Sequence, residues 1–83
     1  MKILLVKSAE KELLSLNKNL GQRIFQKISL LTNDPYGQNS QKLEGNKGYR
    51  IRIGDYRVVY TIDKENQTIL IIKIGHRREI YRQ

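Results

Sequence analysis

The stretch YRIRIGDYRVVYTIDKENQTILIIKI, residues 49–74, decides the fold of this chain. Its first part, YRIRI, alternates strictly, so the isoleucines share one face of a strand while Arg50 and Arg52 share the other. Gly54 and Asp55 then predict a turn, and YRVVYTI predicts a second strand. A second turn over DKENQ leads into TILIIKI, which is nearly all aliphatic. We therefore expect three strands in an antiparallel meander.

The meander is predicted to have two different faces. Helices that pack on a sheet need an apolar face, and Ile51, Ile53 and Val58 supply one. The opposite face then carries the two arginines of the first strand. The register of the hairpin decides whether Arg57 joins them, and the sequence leaves that register open. The aliphatic run TILIIKI is interpreted as a central strand covered on both sides.

The first half of the chain predicts one strand and two helices. KILLV, residues 2–6, has the length and composition of a short buried strand, and an amphipathic helix follows it. A second helix extends to about Asn33, just before Pro35. Its apolar residues recur at helical spacing on one face, namely Leu20, Ile24, Phe25, Ile28 and Leu31. The residues from Pro35 to Gly48 are expected to be irregular.

These elements predict an α+β fold in a single domain over residues 1–83. An N-terminal strand precedes a two-helix hairpin, and the hairpin packs on one face of a mostly antiparallel sheet of about four strands. A short C-terminal tail follows the last strand.

Composition limits the kinds of site that the domain can hold. A chain of 83 residues buries only about 60% of its unfolded surface, so a site is expected on the surface or in a shallow cleft. There is no cysteine and only one histidine, which argues against thiolate chemistry and a zinc site. The apolar run near the N-terminus is too short for a signal peptide or a membrane span. We expect a soluble, cytoplasmic protein that needs no metal or cofactor and has no membrane partner.

The charge balance points to a polyanionic partner. Sixteen lysines and arginines face eight acidic residues, which gives a net charge of +8. Six of the seven arginines lie from residue 50 onwards: Arg50, Arg52, Arg57, Arg77, Arg78 and Arg82. Two arginines on one strand face stand about 7 Å apart, close to the phosphate spacing of a single nucleic-acid strand. The alternative is that the arginines only solvate an exposed sheet face.

The residue types available suit one reaction on RNA. The acidic residues are scattered, so no cluster for two metal ions is predicted. Arginine, tyrosine and histidine remain. In RNA the 2′-hydroxyl can attack the adjacent phosphate without a metal, provided that a protein aligns the attack and stabilises the charge that develops.

Two segments of the sequence resemble toxins of the RelE/ParE superfamily from type II toxin–antitoxin modules. They are YRIRIGDYRVVYTID and the ending IGHRREIYR, and SAEKELLSL, NDPYG and KLEGNKGYR fall in the family's order. The resemblance covers essentially the whole chain. Its RelE-like branch implies a ribosome-dependent mRNA endoribonuclease, a toxin that inhibits translation. The ParE-like branch, which implies a non-enzymatic inhibitor of DNA gyrase, is the alternative. A third possibility is a nucleic-acid-binding module without activity.

The resemblance also implies roles for individual residues. The catalytic set would be Arg57, Arg77, Tyr81 and His76. Arg50, Arg52 and Arg78 would bind the RNA phosphates. The implied partners are a cognate RelB-like antitoxin, the ribosome and its mRNA, with operator DNA bound only through the antitoxin.

One departure from the family pattern concerns the general base. Well-studied RelE members have lysines where this chain has Arg50 and Arg52, and arginine stays protonated. His76 is then a candidate base, since an unperturbed imidazole titrates near neutral pH. Alternatively, alignment and charge stabilisation supply most of the catalysis.

Overall fold

The computed structural model describes residues 1–37 and 40–76, which form five strands and two helices. The strands are β1 (Lys2–Leu5), β2 (Ser40–Lys42), β3 (Tyr49–Ile53), β4 (Tyr56–Asp63) and β5 (Thr68–His76), and the helices are α1 (Lys7–Ser15) and α2 (Lys18–Leu30). The predicted α+β class is confirmed, and so are the N-terminal strand and the two helices.

The five strands form one sheet in the order β1-β5-β4-β3-β2. β1 runs parallel to β5, and the other neighbours are antiparallel, as expected for a mostly antiparallel sheet. The sheet has one strand more than the approximate four of the prediction. The extra strand is β2, which lies in the stretch expected to be irregular. Its three residues, SQK, are too few and too polar to show an alternating pattern.

The helices bury one apolar stripe against the sheet. Asn17 caps α2, because its side chain accepts a hydrogen bond from the backbone N–H of Leu20 at 2.9 Å. Ile24 and Ile28 are fully buried, and burial of such a side chain stabilises a fold by about 1.5–3 kcal/mol. Phe25 departs from the predicted stripe and is 57% exposed. It follows Ile24 directly, and the rotation of about 100° between neighbouring residues of a helix places it outside the buried face.

The covered face of the sheet is aliphatic. The side chains of Ile51 and Ile53 in β3 and of Val58 in β4 are buried there, as predicted. They form one cluster with Ala9, Ile24, Ile28 and Leu31 from the helical side, and with Tyr60, Ile69, Ile71 and Ile74 from the sheet. Within residues 1–37 and 40–76, both helices therefore lie on the same face of the sheet.

Tyr60 ties the loop after α2 to the middle of the sheet. Its hydroxyl donates to the carbonyl oxygen of Pro35 at 2.7 Å, and Ser40 lies 2.8 Å away. Because the phenol proton is used on Pro35, the Ser40 hydroxyl donates to the Tyr60 oxygen. Burial raises the pKa of Tyr60 above its ordinary value of 10.0, against the opposing effect of the Ser40 hydrogen bond. The ring also stacks on Tyr49, with 5.8 Å between ring centroids.

Gly48 directly precedes β3 and has a backbone conformation that leaves no room for a side chain. Its φ is +108°, in the left-handed half of the map, and a Cβ there would lie 2.5 Å from the carbonyl oxygen of Tyr60. Gly45, with φ of +68°, is also left-handed, but a Cβ there would meet only the end of the Lys47 side chain at 3.8 Å. A side chain would cause backbone strain at both glycines, but it would cause a steric clash only at Gly48.

We predict that Gly48→Ala destabilises the protein more than Gly45→Ala. The left-handed conformation costs an ordinary residue about 1–2 kcal/mol at either position. Only Gly48→Ala adds a contact with backbone atoms of β4, which cannot move without disturbing the ladder. Each kcal/mol lowers the midpoint of thermal unfolding by about 4–8 °C in a domain of this size. Equal midpoints for the two variants would contradict the clash.

We predict that Tyr60→Phe lowers the free energy of unfolding by about 1–3 kcal/mol, because the half-buried polar partners at Pro35 and Ser40 lose their hydrogen bonds to the phenol. Tyr49→Phe is the matched control, since the Tyr49 hydroxyl has no hydrogen bond to any described residue. Denaturant unfolding measures both values. A loss in Tyr49→Phe as large as that in Tyr60→Phe would contradict the anchoring role.

The same tyrosine makes stability depend on alkaline pH. A raised pKa means that the folded state holds the phenol proton more tightly than the unfolded state. Its contribution is fully present below pH 10.0 and is lost as the pH rises through the folded-state pKa. The free energy of unfolding should therefore fall less steeply with pH in Tyr60→Phe than in the wild type over that alkaline range.

Candidate active site

The face of the sheet opposite α1 and α2 carries the arginines of β3 and β4, and we call it the arginine face. Arg52 pairs directly with Arg57, and Arg50 pairs with Val59, so all three arginines leave the sheet on the same side. The sequence predicted this for Arg50 and Arg52 and left Arg57 open. The register brings Arg57 onto their face.

The three arginines differ in exposure. Arg52 is exposed and Arg50 is half-buried, whereas Arg57 is only 2% exposed. One terminal nitrogen of Arg57 donates to the carbonyl oxygens of Tyr56 at 3.1 Å and Gly54 at 3.3 Å, which fixes part of its guanidinium against the β3–β4 turn. A phosphate can therefore bind Arg52 directly, but it can reach Arg57 only after the groups that cover this side chain move.

β2 orients the first arginine of β3. Gln41 pairs with Arg50 across β2 and β3, and the Arg50 guanidinium donates to the Gln41 side-chain oxygen. The strand that the sequence did not predict thus supplies a residue that holds Arg50 in place.

A β-bulge in β5 adds a residue that the sequence analysis missed. Val59 pairs with Lys73 but Tyr60 pairs with Ile71, so Ile72 is an extra residue in the ladder. Without the bulge, strict alternation from Ile71 would turn Lys73 towards the helices. The bulge places Lys73 on the arginine face instead, because its partner Val59 lies there. The sequence gives no signal of the bulge, because the aliphatic run TILIIKI has no alternation that an extra residue could interrupt.

The same bulge sends His76 to the other side. His76 pairs with Tyr56, and their rings meet edge to face with 5.6 Å between centroids. Tyr56 packs against the core cluster, so the histidine leaves the sheet on the helix-covered face. The structure therefore does not bring His76 together with Arg50, Arg52 and Arg57, and its catalytic role stays a prediction.

Arg77, Arg78 and Tyr81 lie outside the described residues. Their assignment to the site stays a prediction from the resemblance.

The described acidic residues do not form a metal site. No group of three or more histidine, cysteine, aspartate or glutamate side chains comes together within residues 1–37 and 40–76. Asp63 holds the β4–β5 turn, where it accepts hydrogen bonds from the side chain of Asn66 at 2.7 Å and from its backbone at 3.2 Å. These bonds lower the pKa of Asp63 and keep it ionised as a turn residue.

No helix in the described part of the chain is long and apolar enough to cross a membrane.

Comparisons with known proteins agree with this geometry. The family model described as "ParE toxin of type II toxin-antitoxin system, parDE" matches residues 3–81. The archaeal RelE–RelB complex from Pyrococcus horikoshii OT3 is similar with 32% identity and a TM-score of 0.80, over 92% of this chain and 93% of that chain. The RelB–RelE complex from Methanococcus jannaschii is similar with 28% identity and a TM-score of 0.72, over 94% of each chain.

A curated relative matches a shorter part of the chain. Toxin RelG of Mycobacterium tuberculosis is 43% identical over 35 residues, which span 42% of this chain and 40% of RelG. The family model and the archaeal RelE carry the assignment, because each covers most of the sequence. The chain belongs to the RelE/ParE toxin family of type II toxin–antitoxin systems.

Proposed function

We propose that this toxin is a ribosome-dependent mRNA endoribonuclease of the RelE type. The observation that carries the proposal is the arginine face, where Arg52 stands opposite Arg57 and Arg50 lies on the same strand. Like charges directly opposite each other destabilise a sheet. A phosphate between them would remove that repulsion, which makes the pair suited to an RNA backbone.

The proposed reaction needs little from the protein beyond position and charge. The 2′-oxygen of a nucleotide attacks its own 3′-phosphate, and the bond from phosphorus to the 5′-oxygen of the next nucleotide breaks. Arg57 would stabilise the pentavalent phosphorane, while Arg50 and Arg52 would hold the neighbouring backbone. By resemblance, Arg77 assists Arg57, Arg78 contacts RNA, and Tyr81 orients the nucleotide. His76 is a candidate general base, because an unperturbed imidazole titrates near neutral pH.

The proposed partners follow from the relatives and from charge. The relatives from Pyrococcus horikoshii and Methanococcus jannaschii are complexes of RelE with RelB. A toxin with a net charge of +8 suits an acidic antitoxin that folds on binding. We infer a RelB-like antitoxin, action on the ribosome and its mRNA in the cytoplasm, and operator binding only through the antitoxin.

A gyrase inhibitor is the second candidate. It is favoured by the family model that matches residues 3–81, which describes a ParE toxin. The two candidates differ in the damage that they cause, since a nuclease produces new mRNA ends and a gyrase poison produces DNA breaks.

We predict that brief induction of the wild-type toxin produces discrete new 5′ ends within the codons of translated mRNAs. Arg57→Ala should reduce this cleavage by about 100- to 1,000-fold, the usual effect of removing a group that stabilises a transition-state oxyanion. Mapping 5′ ends by sequencing, with and without a block of translation initiation, measures both effects.

Lys18→Ala is the charge-matched control for that experiment. Lys18 is exposed at the start of α2, which packs on the opposite face of the sheet, so its loss should leave cleavage unchanged. Growth arrest without new mRNA ends would overturn the nuclease proposal. DNA breaks in the same cells would establish the gyrase candidate in its place.

We also predict that a small acidic protein encoded next to this toxin copurifies with it and abolishes its toxicity. Charge attraction across an exposed interface weakens as salt screens it, so the rate of association should fall as ionic strength rises. Affinity purification of the tagged toxin, followed by mass spectrometry and stopped-flow mixing, gives both results. Recovery of the toxin without such a partner would contradict the inferred complex.

A further inference from the structure

We propose that Lys73 is the general base that takes the proton from the attacking 2′-hydroxyl. The proposal rests on the nuclease function above and assigns a role within the same site. Arg50, Arg52 and Arg57 cannot fill it, because guanidinium groups remain protonated in proteins. Lysine can act as a general base when its surroundings favour the amine.

The β-bulge at Ile72 is the first observation behind the proposal. It makes Lys73 a neighbour of Val59, diagonal to Arg57 and about 7–8 Å from it between backbone positions. Bulges are common next to active sites, where they turn a side chain to a new direction. Here the bulge turns Lys73 towards the arginines and His76 away from them.

Gly75 is the second observation. It pairs with Arg57 and lies two residues beyond Lys73 on the same face. Because Gly75 has no side chain, it places no atoms between the side chains of Arg57 and Lys73. Once Arg57 is uncovered, a phosphate over Gly75 would touch its guanidinium, and the preceding ribose would lie on the Lys73 side.

A cleft beside β5 offers room for that ribose. β1 pairs with β5 only as far as Ile71, so residues 72–75 have no neighbouring strand on the β1 side. They line a cleft of about 490 Å³ there instead. Ser8, Ala9 and Glu12 of α1 line its other wall. Lys73 is half-buried at its edge, and its side chain makes no hydrogen bond or ion pair within residues 1–37 and 40–76.

The charged groups around Lys73 come from three elements. Arg57 on β4 is diagonal to it, Arg50 on β3 is two strands away in the same row, and Glu12 on α1 lies across the cleft. Arg52 stands one row further along β3. Cations thus outnumber the carboxylate at this point of the described structure.

The neutral Lys73 amine accepts the 2′-hydroxyl proton while the 2′-oxygen bonds to phosphorus. The phosphorus–O5′ bond then breaks, and the 5′-oxygen takes a proton from water. The products are a 2′,3′-cyclic phosphate and a 5′-hydroxyl, and the ammonium returns its proton to the solvent.

The test compares variants of the full-length toxin in single-turnover cleavage of mRNA on programmed ribosomes. Lys73→Arg keeps the positive charge but cannot accept a proton. We expect it to cleave at least about 100-fold more slowly than the wild type. We also expect the wild-type rate to rise with pH between about 6 and 9 and the remaining Lys73→Arg rate to lose that rise.

Two further variants keep the result independent of folding defects. Lys2→Arg changes a lysine at the opposite end of the same sheet face, where Lys2 pairs with Thr68, and should behave as the wild type. Lys73→Cys introduces the sole cysteine of the chain, so bromoethylamine converts it selectively to an aminoethyl side chain. Restored cleavage after that treatment would support the proposal, because it returns an amine to the same position.

Three outcomes would overturn the proposal. Wild-type cleavage by Lys73→Arg, together with slow cleavage by Lys73→Met, would make Lys73 a phosphate-binding cation. Loss of the pH dependence in His76→Gln but not in Lys73→Arg would assign the base to His76. In both cases the nuclease function would stand, since the wild type cleaves and Arg57→Ala does not. Failure of the wild type to cleave at all would remove both proposals.

Discussion

The pairing of β3 with β4 determines where every described arginine of the sheet stands. Ile51, Ile53 and Val58 must face the helices, because a slip of one residue would exchange them with the arginines. The aliphatic core therefore forces Arg52 and Arg57 to lie opposite each other in spite of their like charges. A local conflict of this kind, maintained by the packing of the other face, is typical of functional sites. The packing of the core thus fixes the positions of the arginines on the other face.

The faces of β3 and β4 could be predicted from the sequence because polar and apolar residues alternate there. β5 offered no such pattern, since a run of aliphatic residues looks the same in either phase. The bulge at Ile72 was therefore invisible, and with it the opposite placement of Lys73 and His76. β2 escaped detection for a different reason, because three polar residues become a strand only when β3 is beside them.

The residues that contribute to the site were easier to predict than their burial and the face of the sheet on which they lie. The sequence identified Arg50, Arg52 and Arg57 and, through the hairpin alternation, placed two of them together. It gave no indication that Arg57 would be 2% exposed, because burial depends on the whole tertiary structure. The resemblance to RelE/ParE toxins implies a role for His76 and none for Lys73. Only the register shows which of the two shares a face with the arginines.

The parallel pairing of β1 with β5 also bears on how the toxin is made. Residues 2–5 hydrogen-bond to residues 68–71, so β1 cannot pair until β5, the last described strand, has been synthesised. Such distant pairing makes folding slow, since the closure of a long loop precedes the contacts that reward it. A chain still attached to its own ribosome cannot complete the sheet until residue 71 has emerged from the exit tunnel. The topology thus delays the completion of the sheet until β5 has been synthesised.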